Sequence, residues 1–133
     1  MNTRLFINTD GASRGNPGPA AIGVTLKNAD DELVAVISEK IGVTTNNQAE
    51  YRALIEGLKK AISLGAKEVV IRADSELIVK QLLGQYRVKN ADLKPLYEEA
   101  KRLAGGLTNC KIAAITRGYN KEADRLCNKA LDA

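Results

Sequence analysis

The hydrophobic pattern of this chain changes period once, near residue 45, and that switch limits the folds open to it. Before it come three short runs of strand-forming residues, at 3–10, 20–28 (Ala-Ala-Ile-Gly-Val-Thr-Leu-Lys-Asn) and 32–41 (Glu-Leu-Val-Ala-Val-Ile-Ser-Glu-Lys-Ile). Asn28-Ala29-Asp30-Asp31 is a turn sequence between the last two, so these pair as an antiparallel hairpin. After the switch, Ala49, Ala53, Leu54, Leu58, Ala61 and Ile62 recur at helical spacing between Asn46 and Leu64, and Gly65 supplies a stop. The remainder reads as strand 68–74, helix 76–83, helix 92–104, a Gly105-Gly106 loop, strand 110–116 and helix 120–131. A meander followed by this alternation predicts an α/β fold. Its sheet has five mixed strands flanked by helices, with right-handed crossovers laying strands four and five parallel to strand one.

At 133 residues and 44% apolar content, the chain has the size of one domain with a real core, so residues 1–133 are read as a single unit. No internal repeat, low-complexity tract or linker divides it. No apolar run approaches the roughly 18 residues of a membrane span, and no basic-then-hydrophobic leader opens the chain. Cys110 and Cys127 lie in apolar surroundings without CxxC spacing, which predicts reduced thiols and a cytoplasmic setting. Lys plus Arg number 20 against 16 Asp plus Glu. That excess grows on the outer surface if several acids are gathered in one pocket, and such a surface suits a polyanion. The chain has no His, which excludes Ser-His-Asp and Cys-His catalysis, and it has no Walker A loop.

Four acids interrupt apolar or small-residue contexts at the edges of these elements. Asp10 ends the run Leu5-Phe6-Ile7-Asn8-Thr9 and opens a turn-rich stretch, Gly11 to Pro19. Glu50 shares its helical stripe with Leu54, Gly57, Leu58 and Ala61, so it faces inward, where an unpaired carboxylate costs several kcal/mol. A first-turn Glu favoured by the helix dipole is the alternative. Asp74 closes the strand Val69-Val70-Ile71-Arg72-Ala73; N-capping of the next helix would also explain it. Asp124 shares a helix face with Cys127 and Leu131, although Lys121, Glu122 and Arg125 beside it fit a solvated acid. If the four converge they repel, and a divalent cation stabilises them. Oxygen-only ligands fit magnesium or manganese better than zinc. Two such ions about 4 Å apart hold a phosphodiester, activate water and stabilise the departing oxygen, which is hydrolysis without a protein nucleophile.

Four segments taken together, Asp10-Gly11-Ala12-Ser13-Arg14-Gly15-Asn16-Pro17-Gly18, Thr45-Asn46-Asn47-Gln48-Ala49-Glu50, Asp74-Ser75 and Asn120-Lys121-Glu122-Ala123-Asp124, resemble the type 1 ribonuclease H family. They occur in the family's order and span almost the whole chain. The resemblance implies the ribonuclease H-like fold. It also implies an endoribonuclease that cuts the RNA strand of RNA/DNA hybrids with two magnesium ions, leaving 5'-phosphate and 3'-hydroxyl ends. Asp10, Glu50, Asp74 and Asp124 correspond to the metal-binding catalytic acids, with Asp10 bridging the ions. Asn16, Asn46 and Asn47 resemble contacts to the RNA strand, where amides read 2'-hydroxyls in the minor groove. Thr45 and Asn90 resemble a pocket for a DNA-strand phosphate, while Thr45-x-x-Gln48 also satisfies a capping box.

The chain departs from the family pattern in three places. The loop before the fourth acid reads Arg117-Gly118-Tyr119 where many members carry a His. Gly84 to Asp92 is too short for the basic, tryptophan-bearing protrusion of some members, and the chain has no Trp. No separate hybrid-binding domain is expected before the first strand. The expectation is a monomeric, membrane-independent nuclease. Two alternatives stay open: a non-catalytic nucleic-acid-binding module of the same fold, and a nuclease that also cuts duplex RNA.

Overall fold

The structure is a computed structural model that describes residues 3–133, so the first two residues of the expected 1–133 unit lie outside the described residues. Three strands, β1 (Arg4–Ser13), β2 (Gly18–Lys27) and β3 (Leu33–Thr44), form the expected meander. The chain continues through α1 (Asn46–Ser63), β4 (Glu68–Ala73), α2 (Glu76–Leu82), α3 (Lys94–Gly105), β5 (Asn109–Ala114) and α4 (Lys121–Asp132). Strand order is β3-β2-β1-β4-β5. β2 is antiparallel to both β1 and β3, whereas β4 runs parallel to β1 and β5 parallel to β4. The α/β class and the mixed five-stranded sheet are therefore as the pattern of periods predicted.

The hairpin turn is held by the Asn28 side chain, whose Oδ1 accepts from the Asp30 and Glu32 amides at 2.9 and 3.0 Å, an Asx arrangement that explains the turn composition. α1 begins at Thr45, whose hydroxyl accepts from the Gln48 amide at 3.3 Å. The other half of the capping box is diverted, because Thr44 Oγ1 donates to Gln48 Oε1 at 2.5 Å. The chain leaves α1 through Gly65, at φ 88°.

The pleat assigns the helices to faces. A Cβ placed on Gly57 of α1 would meet Ile7, Thr9 and Val24, whereas one placed on Gly23, beside Val24 in β2, would overlap the Ala123 carbonyl of α4. α1 and α4 thus lie on opposite sides of the sheet, and the bare backbone of Gly23 lets α4 approach closely. The larger core lies on the α1 side, where Leu5, Ile7, Ile22, Val24 and Leu26 meet Leu54, Leu58, Val69, Ile71 and Ala100. Leu58 is fully buried there, and its truncation to Ala would cost about 2–5 kcal/mol. Ala21, Cys127 and Ala130 form a smaller cluster under α4. Cys127 Sγ donates to the Ala21 carbonyl at 3.3 Å, and Ser38 Oγ to that of Leu126 at 2.6 Å, tying the helix to β2 and β3.

Four local differences from the sequence expectation bear on the site. β1 does not end at Asp10 but runs on to Ser13, because Gly11, Ala12 and Ser13 find partners in Ile22, Ala21 and Ala20 of β2. α3 starts at Lys94 and takes in Gly105, a residue whose Gly-Gly context predicts a loop. A single 3-10 turn, Arg117–Tyr119, precedes α4. Tyr51, absent from the expected helical stripe, is fully buried and donates its hydroxyl to Gln81 Oε1 at 2.6 Å, satisfying both polar groups. Among the described residues, no helix is long and apolar enough to cross a membrane.

Candidate active site

The parallel ladder between β1 and β4 ends at Thr9 and Ala73, so the next residue of each strand, Asp10 and Asp74, emerges at the same edge. Carboxyl ends of parallel strands are where α/β sheets collect ligands. Glu50 arrives from α1, and Gly11 makes that approach possible. A Cβ at Gly11 would overlap the Ala49 carbonyl, so a bare backbone lets the first turn of α1 lie against β1. The Gly11 amide then faces the Glu50 carboxylate and favours its charged form, against the effect of burial.

Asp10, Glu50 and Asp74 each offer one carboxylate oxygen, and all three oxygens lie within 4.8 Å of one another. Asp10 and Glu50 are buried, Asp74 half-buried. Asp124, from the first turn of α4, stands outside that mutual group but within hydrogen-bonding reach of Asp10. Burial is the main reason the Asp10 carboxyl is raised to about 7; Asp74 and Asp124 repel its charge, and the Arg117 guanidinium opposes them. Burial also dominates at Glu50, raised to about 9, with repulsion from Asp10 and Asp74. Both directions say that the cluster resists full ionisation on its own. An all-oxygen set of carboxylates that becomes favourable only beside positive charge fits a hard divalent cation. Cys127 does not belong to that set: burial pushes its thiol up to about 12, so it stays protonated.

Beside the acids, a cleft of about 330 Å³ is lined by Asn16, Thr45, Asn46, Asn47 and Asn90, which gathers the five remaining candidate residues in one place. Asn16 Oδ1 accepts from the Asn46 amide at 3.0 Å, and Asn46 Oδ1 from the Ser13 amide at 3.2 Å. With both oxygens bonded to backbone, the side-chain NH2 groups remain to donate outward. The Thr45 hydroxyl accepts within the helix cap and keeps its own proton for a ligand. Asn90 Oδ1 accepts from the Asp92 amide at 2.8 Å, fixing the cleft's far wall.

Three residues of the site carried no assigned role from the sequence alone: Gly11, Asn120 and Arg117. Gly11 and Asn120 belong to the motif segments, but their roles depend on contacts with distant elements. Asn120 is 1% exposed, and its Nδ2 donates to the Thr9 carbonyl at 2.8 Å and toward Asp74 Oδ2 at 3.4 Å. Arg117 lies close enough to Asp10 to lower its carboxyl, whereas Tyr119 is 82% exposed.

A β3-β2-β1-β4-β5 sheet that brings acids of β1, α1, the end of β4 and α4 to one edge defines a ribonuclease H-like fold with an acidic, cation-fitting centre. A family model described as reverse transcriptase-like matches residues 8–130. The curated ribonuclease HI of Halobacterium salinarum is 45% identical over 97% of this chain and 65% of its own length. The crystal structure of RNase H1 from that halophilic archaeon superposes with a TM-score of 0.95 at 43% identity, covering 97% of this chain and 98% of that one. LC11-RNase H1, isolated from compost by a metagenomic approach and solved in complex with RNA/DNA hybrid, gives 0.91 at 41% identity, covering 96% of each chain. This chain belongs to the type 1 ribonuclease H family. It spans 36% of the length of the curated mycobacterial relatives it matches.

Proposed function

We propose that this protein is an endoribonuclease that hydrolyses the RNA strand of RNA/DNA hybrids, using two magnesium ions, or manganese, and leaving 5'-phosphate and 3'-hydroxyl ends. The observation that carries the reading is the placement of three carboxylates within 4.8 Å of one another beside a cleft of outward-donating amides. The LC11 relative in complex with hybrid supports the substrate class.

Asp10, Glu50, Asp74 and Asp124 would hold the ions, with Asp10 central because its carboxyl interacts electrostatically with each of the other three. The chemistry the ions supply when bound is activation of water and stabilisation of the departing oxygen. Asn16, Asn46 and Asn47 orient the RNA strand by donating to its 2'-hydroxyls and minor-groove acceptors, which distinguishes RNA from DNA. Thr45, at the N-terminus of α1, and Asn90 grip a phosphate of the DNA strand. Arg117 contributes positive charge beside Asp10, at the loop where many members carry a His. Residues 1–133 act as one catalytic unit and as a monomer. Cys110 and Cys127 are free thiols, which suits a reducing compartment, and we place the activity in the cytoplasm.

One labelled RNA offered as single strand, RNA duplex and RNA/DNA hybrid, with magnesium, manganese or chelator, tests the reading. The expected result is metal-dependent cutting of the hybrid's RNA strand alone. Hybrid binding without any cutting would replace the enzyme with a binding module, and comparable cutting of duplex RNA would widen the substrate class.

A further inference from the structure

We infer that Asn120 is a positioning residue that holds the Asp74 carboxylate and the Asp124-bearing helix in register with β1, and thereby tightens cation binding without touching substrate. The inference rests on the proposed hydrolase reading and deepens it. Asn120 occupies the N-cap of α4, yet its side chain makes no cap hydrogen bond. An Asn at that position ordinarily satisfies one of the helix's open amides with its side-chain oxygen. Here the side chain is turned the other way, into the sheet.

Its two amide hydrogens have two destinations, the Thr9 carbonyl at 2.8 Å and Asp74 Oδ2 at 3.4 Å. Its oxygen accepts from Asn8 Nδ2 at 3.2 Å, and the Thr9 carbonyl decides which way the amide faces: were it flipped, two oxygens would oppose each other. The Asn120 carbonyl meanwhile accepts from the Asp124 amide at 3.1 Å. One buried residue is therefore bonded to the backbone beside Asp10, to the side chain of Asp74 and to the backbone of Asp124. The donor offered to Asp74 is neutral. It orients the carboxylate and leaves its charge for a cation, which a Lys or Arg in the same place would compete for. Outer partners of this kind, hydrogen-bonded to metal-ligating carboxylates, typically change metal affinity or activity 10–100-fold when removed.

The test measures manganese binding to the substrate-free protein by titration calorimetry, alongside hybrid binding in chelator, thermal melting, and kcat and KM. Asn120→Ala is expected to weaken manganese binding by about 10–100-fold and to lower kcat, with hybrid affinity and KM preserved. Asn8→Ala, which leaves Asn120 in place but releases its amide, should shift the same quantities by less. A folded Asn120→Ala protein with the parent's manganese affinity, its change confined to melting temperature, would make Asn120 a structural residue only and overturn the inference. If that variant does not fold, Asn8→Ala decides, and parental manganese binding there overturns it equally. A parent protein that binds no manganese brings down the hydrolase reading and this inference with it; a parent that binds and cuts, with variants that bind as well, refutes the inference alone.

Discussion

The two sides of the first turn of α1 are built on opposite terms. On one side Asp10, Glu50 and Asp74 are crowded, and burial and neighbouring negative charge oppose the ionisation of Asp10 and Glu50. On the other, Asn16, Thr45 and Asn46 are neutral, open to solvent and already hydrogen-bonded within the protein. The first region is unfavourable until something positive enters it; the second is satisfied beforehand and has donors left over. On the proposed reading, chemistry falls where the fold is electrostatically strained and recognition where it is relaxed, so the two should respond to perturbation independently.

The sharpest break is Asp10→Asn. Loss of the central carboxylate removes several kcal/mol of transition-state stabilisation, about 10³-fold or more in cleavage rate. Hybrid binding in chelator should be unchanged in a gel-shift assay, and the metal-free variant should melt at a higher temperature than the parent because a repulsive charge has gone. Gly11→Ala is the substitution expected to damage both regions together. Its methyl group meets the Ala49 carbonyl, costing about 1–3 kcal/mol by overpacking and moving Glu50 and the Asn46 amide outward. Thermal melting, metal binding and hybrid binding should all decline, and loss of only one would show that the two regions do not share this contact.

Asn46→Ala combined with Asn47→Ala should affect recognition only. Each lost hydrogen bond is worth about 0.5–1.5 kcal/mol, so discrimination between hybrid and DNA duplex should fall roughly tenfold, while calorimetric manganese binding matches the parent. The smallest expected effect is a pH dependence. The Asp10 and Glu50 carboxyls are raised from ordinary values of 3.8 and 4.5 to about 7 and about 9, so the folded chain keeps protons that the unfolded chain has released. The resulting stabilisation is complete below about pH 4 and is lost as pH rises through 7 and then 9. Metal-free protein should therefore melt several degrees lower at pH 9 than at pH 5, and saturating magnesium should flatten that slope.

Much of this was legible in the chain. The helical stripe of α1 placed Glu50 inward, and the strand runs placed Asp10 and Asp74 at neighbouring edges, because periodicity and turn chemistry are local signals. What escaped was decided by distant partners. Gly11-Ala12-Ser13 reads as turn, but pairing with Ala20, Ala21 and Ile22 keeps it extended. Asn120 reads as the first residue of the last helix, and only the nearness of Asn8, Thr9 and Asp74 shows that its side chain turns into the sheet. Tyr51 and Gln81 satisfy each other across two helices, a pairing that spacing within either helix does not reveal.

Asp124 rides on α4, the last of the described elements, which is fastened to β2 and β3 rather than to its immediate predecessor. During synthesis the sheet, α1 and three of the acids emerge first, and the fourth arrives only when α4 docks. Until α4 packs against β2 and β3 the cluster lacks its fourth carboxylate, so a change that loosens that docking would open the cluster without touching the other three acids.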